Sequence, residues 1–146
     1  MRVVADTGPI VAAANRRDRA HGLASELVSE LGRELLVPLP VVVETDQLLR
    51  ARLNAESARS FLSALVRGEH TVAFLSPGLL RRAAEIDRSN AALDLGLADA
   101  SVMALAERYG LPILTFDFQD FRAVKPLGRH WMLVVDEARY REATAG

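Results

Sequence analysis

The 146-residue chain has no cysteine, which excludes disulfides, thiolate nucleophiles and cysteine-ligated zinc at once. Lysine is nearly missing too: of 18 basic side chains only Lys125 is not an arginine. The net charge is −1, so bulk charge neither marks nor excludes a nucleic-acid partner. No apolar run is long enough to cross a bilayer and no charged-then-apolar leader opens the chain, so an intracellular, soluble protein without membrane contact is expected. Internal repeats and low-complexity linkers are lacking, as are the Gly-rich loop of a dinucleotide site and the Gly-Lys-Ser/Thr of a P-loop. What is present, 50% hydrophobic and 25% charged residues, suits a single domain over residues 1–146. A chain of that length buries about two thirds of its unfolded surface in one core.

Short apolar runs alternate with helical periodicity. Strands are expected at Arg2–Ala5, Leu35–Val37, Thr71–Phe74, Ile113–Phe116 and Trp131–Val135. Between them, helices are expected after Asp6-Thr7-Gly8-Pro9, over Ala20–Leu31, from Pro40 to Leu53, from Asn54 and Ser57 through Val66, from Ser76-Pro77 to Arg88, and over Leu97–Tyr109. Residues 137–146 read as a polar C-terminal tail, fraying from Tyr140. The alternation predicts an α/β domain with a mainly parallel sheet and helices on both faces. Ligands of such sheets sit beyond the carboxyl ends of the strands, at a switch in strand order.

Asp6 and Asp117 each follow an apolar strand directly, which a parallel sheet brings to one edge. Asp99 lies near the start of a helix, where the macrodipole favours a carboxylate, and Glu44 in the first turns of the helix opening at Pro40. Singly, each reads as a cap or a solvated helix residue. Together they predict a cation, because crowded like charges raise one another's pKa values and need neutralising. Oxygen ligands without His or Cys suit Mg²⁺ or Mn²⁺, one or two ions, and phosphodiester hydrolysis is the chemistry that follows. Asp94 reads first as a turn or cap. Asp120 reads as a local hydrogen-bonding residue supporting the site. Thr7, Ser101 and Thr115 stand beside the carboxylates, where they orient water or acid, or simply pack. His21, His70 and His130 lack paired spacing and read as packing or surface residues.

In this order the motifs Val3-Val4-Ala5-Asp6-Thr7-Gly8-Pro9, Pro40-Val41-Val42-Val43-Glu44, Asp94-Leu95-Gly96-Leu97-Ala98-Asp99-Ala100 and Thr115-Phe116-Asp117 with Asp120-Phe121 resemble the PIN-domain family, especially its VapC-type toxins. The resemblance covers nearly the whole chain. It implies a three-layer α/β/α sandwich and a Mg²⁺- or Mn²⁺-dependent endoribonuclease with Asp6, Glu44, Asp99 and Asp117 as catalytic metal ligands. It also implies a homodimer in the bacterial cytoplasm, inhibited by a small cognate antitoxin protein. Gly8-Pro9 departs from the Ser and aliphatic residue that many relatives carry there. Some PIN-like domains are non-catalytic RNA- or protein-binding modules, and that reading stays open here.

Other Asp-after-strand chemistries fit less well. A dehalogenase-type phosphatase needs a second Asp where Gly8 stands, and a receiver domain needs a Lys at a later strand end, whereas Lys125 precedes Pro126. For RNA, the arginines Arg16, Arg17 and Arg19, and Arg50 with Arg52, are candidate phosphate contacts as well as ordinary surface charge. For an antitoxin, Leu48, Leu49, Leu53, Phe61 and Leu65 are candidates to line a groove, with core packing as the other reading.

Overall fold

The structure is a computed structural model and describes residues 1–128 and 130–146. Its centre is a four-stranded parallel sheet in the order β3-β2-β1-β4. The strands are β1 (Val3–Ala5), β2 (Leu35–Pro38), β3 (Thr71–Ala73) and β4 (Ile113–Leu114). Val3 pairs with Leu35, Val4 with Ile113 and Leu36 with Thr71. β1, β2 and β4 are apolar along their whole length and buried throughout, as a parallel sheet covered on both faces requires.

The cover is helical. α1 (Thr7–Ala14), α2 (His21–Leu31), α3 (Leu39–Arg52) and α4 (Ala55–Val66) come before β3; α5 (Pro77–Ser89) and α6 (Gly96–Tyr109) follow it. α7 (Phe118–Ala123) and α8 (Glu137–Thr144) complete the chain. Caps are where the sequence puts them. Asn54 accepts the Ser57 N–H at 2.8 Å to separate α3 from α4, and Ser76 accepts the Leu79 N–H at 3.2 Å ahead of Pro77. α6 is the most deeply set helix, buried continuously from Ala100 to Ala106 and packed between α3 and α5.

Two expectations near the C-terminus change. Trp131–Val135 does not form a strand: it meets β4 through one parallel bridge, Ile113 with Leu133. β4 itself stops after two residues, because the Asp117 N–H turns back onto Thr115 Oγ1 at 3.0 Å and leaves the ladder. The segment read as a fraying tail carries α8, started by Asp136, whose carboxylate accepts the Arg139 N–H at 2.8 Å.

Strand order decides where a site can lie. The chain moves outward from β1 to β2 and β3, then returns across β1 to lay down β4. The reversal falls between β1 and β4, whose carboxyl ends lead into Asp6 and Thr115.

Candidate metal centre

Asp6 leaves β1 and caps α1. Its Oδ1 accepts the Thr7 N–H at 2.9 Å and its Oδ2 accepts the Thr115 hydroxyl at 2.7 Å. Thr115, fully buried, also receives the Asp117 N–H. One hydroxyl therefore ties together the residues that follow β1 and β4. Asp117 caps α7, its Oδ1 accepting the Asp120 N–H at 3.2 Å.

α6 presents Asp99 from its first turn to the same place. One oxygen each from Asp99, Asp117 and Asp120 lie within 4.8 Å of one another, all three side chains being half-buried. This grouping differs from the sequence expectation in its membership. Asp120, read as a supporting residue, stands with Asp99 and Asp117. Asp6, read as a ligand, accepts from Thr7 and Thr115 and also shares a hydrogen bond with Asp99, and Glu44 lies outside the three-oxygen group while its charge reaches Asp99.

The electrostatics show how crowded the cluster is. Burial raises the Asp6 carboxyl above the usual range against the opposing pull of its hydrogen bonds, with the Asp117 charge adding to the rise. Asp99 is pushed up to about 8, first by burial, then by the charge of Asp6 and a hydrogen bond with it, then by the charges of Glu44 and Asp117. Asp120 is pushed up to about 6 by burial and by Asp117. At neutral pH Asp99, raised to about 8, holds a proton that a divalent cation would displace.

The donor set fits such an ion: all oxygen, several carboxylates, no imidazole or thiolate, at a partly open edge of the sheet. Two unpartnered buried hydroxyls, Thr7 Oγ1 and Ser101 Oγ, adjoin Asp6 and Asp99 in sequence. Thr45 is a third, fully buried and without a partner one residue past Glu44. A threonine inside an ordinary helical pattern carries no signal that would single it out.

The other candidates lie elsewhere. Asp94 is exposed in a left-handed turn at φ 50°, the turn role expected first for it. Arg16, Arg17 and Arg19 are on or near the surface between α1 and α2. Asp6 caps the opposite end of α1, about 12 Å away along eight residues. Arg50 is engaged by both Asp46 oxygens at 3.1 Å, and Arg52 is exposed. His21 and His70 each place Nδ1 against a backbone carbonyl, Ala12 at 3.0 Å and Gly32 at 2.8 Å. The expected leucine groove is largely filled: Leu49 packs on Val11 and Ala58 with Leu48, Leu53 and Phe61 around it, and Leu65 belongs to the main core. An open cavity of about 370 Å³ lies beside it, where Ile10, Val28 and Phe61 meet between α1, α2 and α4.

Known proteins are similar to this chain in sequence and in fold. Ribonuclease VapC26 of Mycobacterium tuberculosis is 29% identical over 127 residues, covering 86% of this chain and 94% of that protein. The crystal structure of M. tuberculosis VapC20, described as a sarcin-ricin loop cleaving toxin, superposes with a TM-score of 0.71 at 21% identity, over 81% of this chain and 93% of that one. A toxin–antitoxin complex from Klebsiella pneumoniae gives a TM-score of 0.59 at 18% identity, over 82% and 89% of the two chains. The PIN domain model matches residues 3–126, from β1 through α7 and so across every carboxylate of the cluster, and the chain belongs to the PIN domain family.

Proposed function

We propose that the protein is a metal-dependent endoribonuclease, the toxin of a toxin–antitoxin pair. The observation that carries this reading is the convergence of Asp6, Asp99, Asp117 and Asp120 at the β1/β4 switch point, in a PIN domain similar to a protein named a ribonuclease. Asp99, Asp117 and Asp120 would hold Mg²⁺ or Mn²⁺, with Glu44 adding negative charge at the rim. Asp6, anchored by Thr7 and Thr115, holds its carboxylate rigidly beside them. A bound divalent cation supplies charge neutralisation at a scissile phosphate and a lowered pKa for an attacking water. The protein's own part is to keep the oxygens converged and to bind flanking phosphates, for which Arg16, Arg17 and Arg52 are exposed on the surface.

Two partners belong to the same reading. The similarity to a toxin–antitoxin complex supports a small antitoxin, and the cavity between α1, α2 and α4 offers it an apolar seat. Exposed Leu39 and Val43, one turn apart on α3, with Leu97 at the start of α6 and Leu80 on α5, support a homodimer. Sedimentation of the purified protein near twice 15.9 kDa is expected, and a monomer at micromolar concentration contradicts the dimer. No described helix is long and apolar enough to cross a membrane.

Activity is tested by incubating antitoxin-free protein with structured and unstructured RNA in Mg²⁺ or Mn²⁺. Wild type is expected to cleave with both chelator sensitivity and loss in Asp99→Asn of at least a hundredfold. Cleavage by neither metal, or equal cleavage by Asp99→Asn, contradicts the proposal. In the same assay, reversal of Arg16 and Arg17 to Glu that leaves RNA affinity and its salt dependence unchanged removes those arginines from the RNA path.

A further inference from the structure

The family match ends at residue 126, yet the chain continues and folds back onto the residues that flank Asp117. We propose that α8 holds the Asp117–Asp120 half of that cluster in place, with Tyr140 as its positioning residue. The inference rests on the metal-dependent reading above.

Phe116 and Phe118 flank Asp117 on either side in the chain, and the Tyr140 ring meets both. Its centroid is 4.6 Å from that of Phe116 and 5.6 Å from that of Phe118, at tilts of 31° and 52°. Such offset aromatic contacts add about 0.5–1.5 kcal/mol each beyond the area they bury. Behind them, Tyr140 and Phe116 lie against Ala12, Ala20 and Ala24, so the pair is wedged between the turn and the α1–α2 layer. A second contact fixes the far end of α7: Glu137 of α8 accepts a hydrogen bond from Arg122, and from Arg141 at 2.9 Å. The arms of α8 thus engage residues 116–118 and 122, bracketing the two carboxylates at 117 and 120.

The turn needs such support from outside. β4 is only two residues long, α7 only six, and within the turn itself Asp117 is restrained only by local hydrogen bonds, to Thr115 and from Asp120 and Phe121. A metal centre tolerates little freedom in its ligands, and loss of a supporting contact commonly costs ten- to a hundredfold in metal affinity.

Calorimetric titration of the full-length protein with Mn²⁺ tests this. Tyr140→Ala is expected to weaken Mn²⁺ binding by tenfold or more at a temperature where circular dichroism shows it folded. Tyr140→Phe, which keeps the ring, is expected to restore wild-type affinity. Ile86→Ala, a cavity in the core under α5, controls for lost stability and is expected to bind Mn²⁺ within twofold of wild type. Should Tyr140→Ala unfold, Tyr140→Leu carries the same expectation as Tyr140→Ala. Full Mn²⁺ affinity in the ring-less variants, or equal weakening by Ile86→Ala, overturns the positioning role. Failure of the wild type to bind Mn²⁺ instead overturns the metal-dependent reading beneath it.

Discussion

At the scale of single residues, crowding the carboxylates ties the stability of the fold to pH. Asp99 has its carboxyl raised to about 8 from 3.8, so its neutral form stabilises the metal-free fold. That contribution is complete below about pH 4 and disappears as the pH climbs through 8. Asp6 and Asp120 are raised as well and act in the same direction. Allowing for screening at a half-exposed site, the loss is about 2–3 kcal/mol. The melting temperature of chelator-treated protein is therefore expected to fall by about 5–10 °C between pH 5 and pH 8. Asp99→Asn, neutral throughout, should flatten most of that slope in thermal unfolding followed by circular dichroism. A wild-type slope that rises with pH contradicts the assignment. The places of Asp6 and Asp99 in the fold are legible because each stands at a recognisable junction, strand into helix or turn into helix. Asp120, read as a local hydrogen-bonding residue, makes that bond and also stands beside Asp99 and Asp117. An N-cap residue and the one three positions on stand side by side at a helix start, so the Asp117–Asp120 bond is what juxtaposes their carboxylates.

Among the elements, those with strong periodicity or clear punctuation were readable from the chain. Asn54 between α3 and α4, Ser76-Pro77 before α5 and Gly110 after α6 all end or begin helices where expected. The C-terminal elements were not, for two different reasons. Trp131–Val135 has strand composition, but pairing needs a partner of matching length and β4 ends at Leu114. Trp131 instead turns its Nε1 to the Val124 carbonyl at 2.7 Å and its ring edge to Phe121. α8 buries little beyond Tyr140, so it has no apolar stripe for a periodicity argument to find. Its function is also invisible locally, since the contact that matters joins residue 140 to residues 116 and 118.

For the whole molecule, strand order does what no single motif can. Asp6 and Asp117 lie more than a hundred positions apart, and the return of the chain from β3 across β1 to β4 makes them neighbours through Thr115. Chain-wide alternation made the parallel sheet legible, and with it the edge where the acids gather. The central claim is that the carboxylates act as one cation centre. Mn²⁺ titration of wild type and Asp99→Asn at pH 7, in two buffers of different ionisation heat, tests it most directly. The account predicts that wild type binds Mn²⁺ with release of a proton, because Asp99 is raised to about 8, and that Asp99→Asn binds at least tenfold more weakly. Binding without proton release, or undiminished binding by Asp99→Asn, would contradict it.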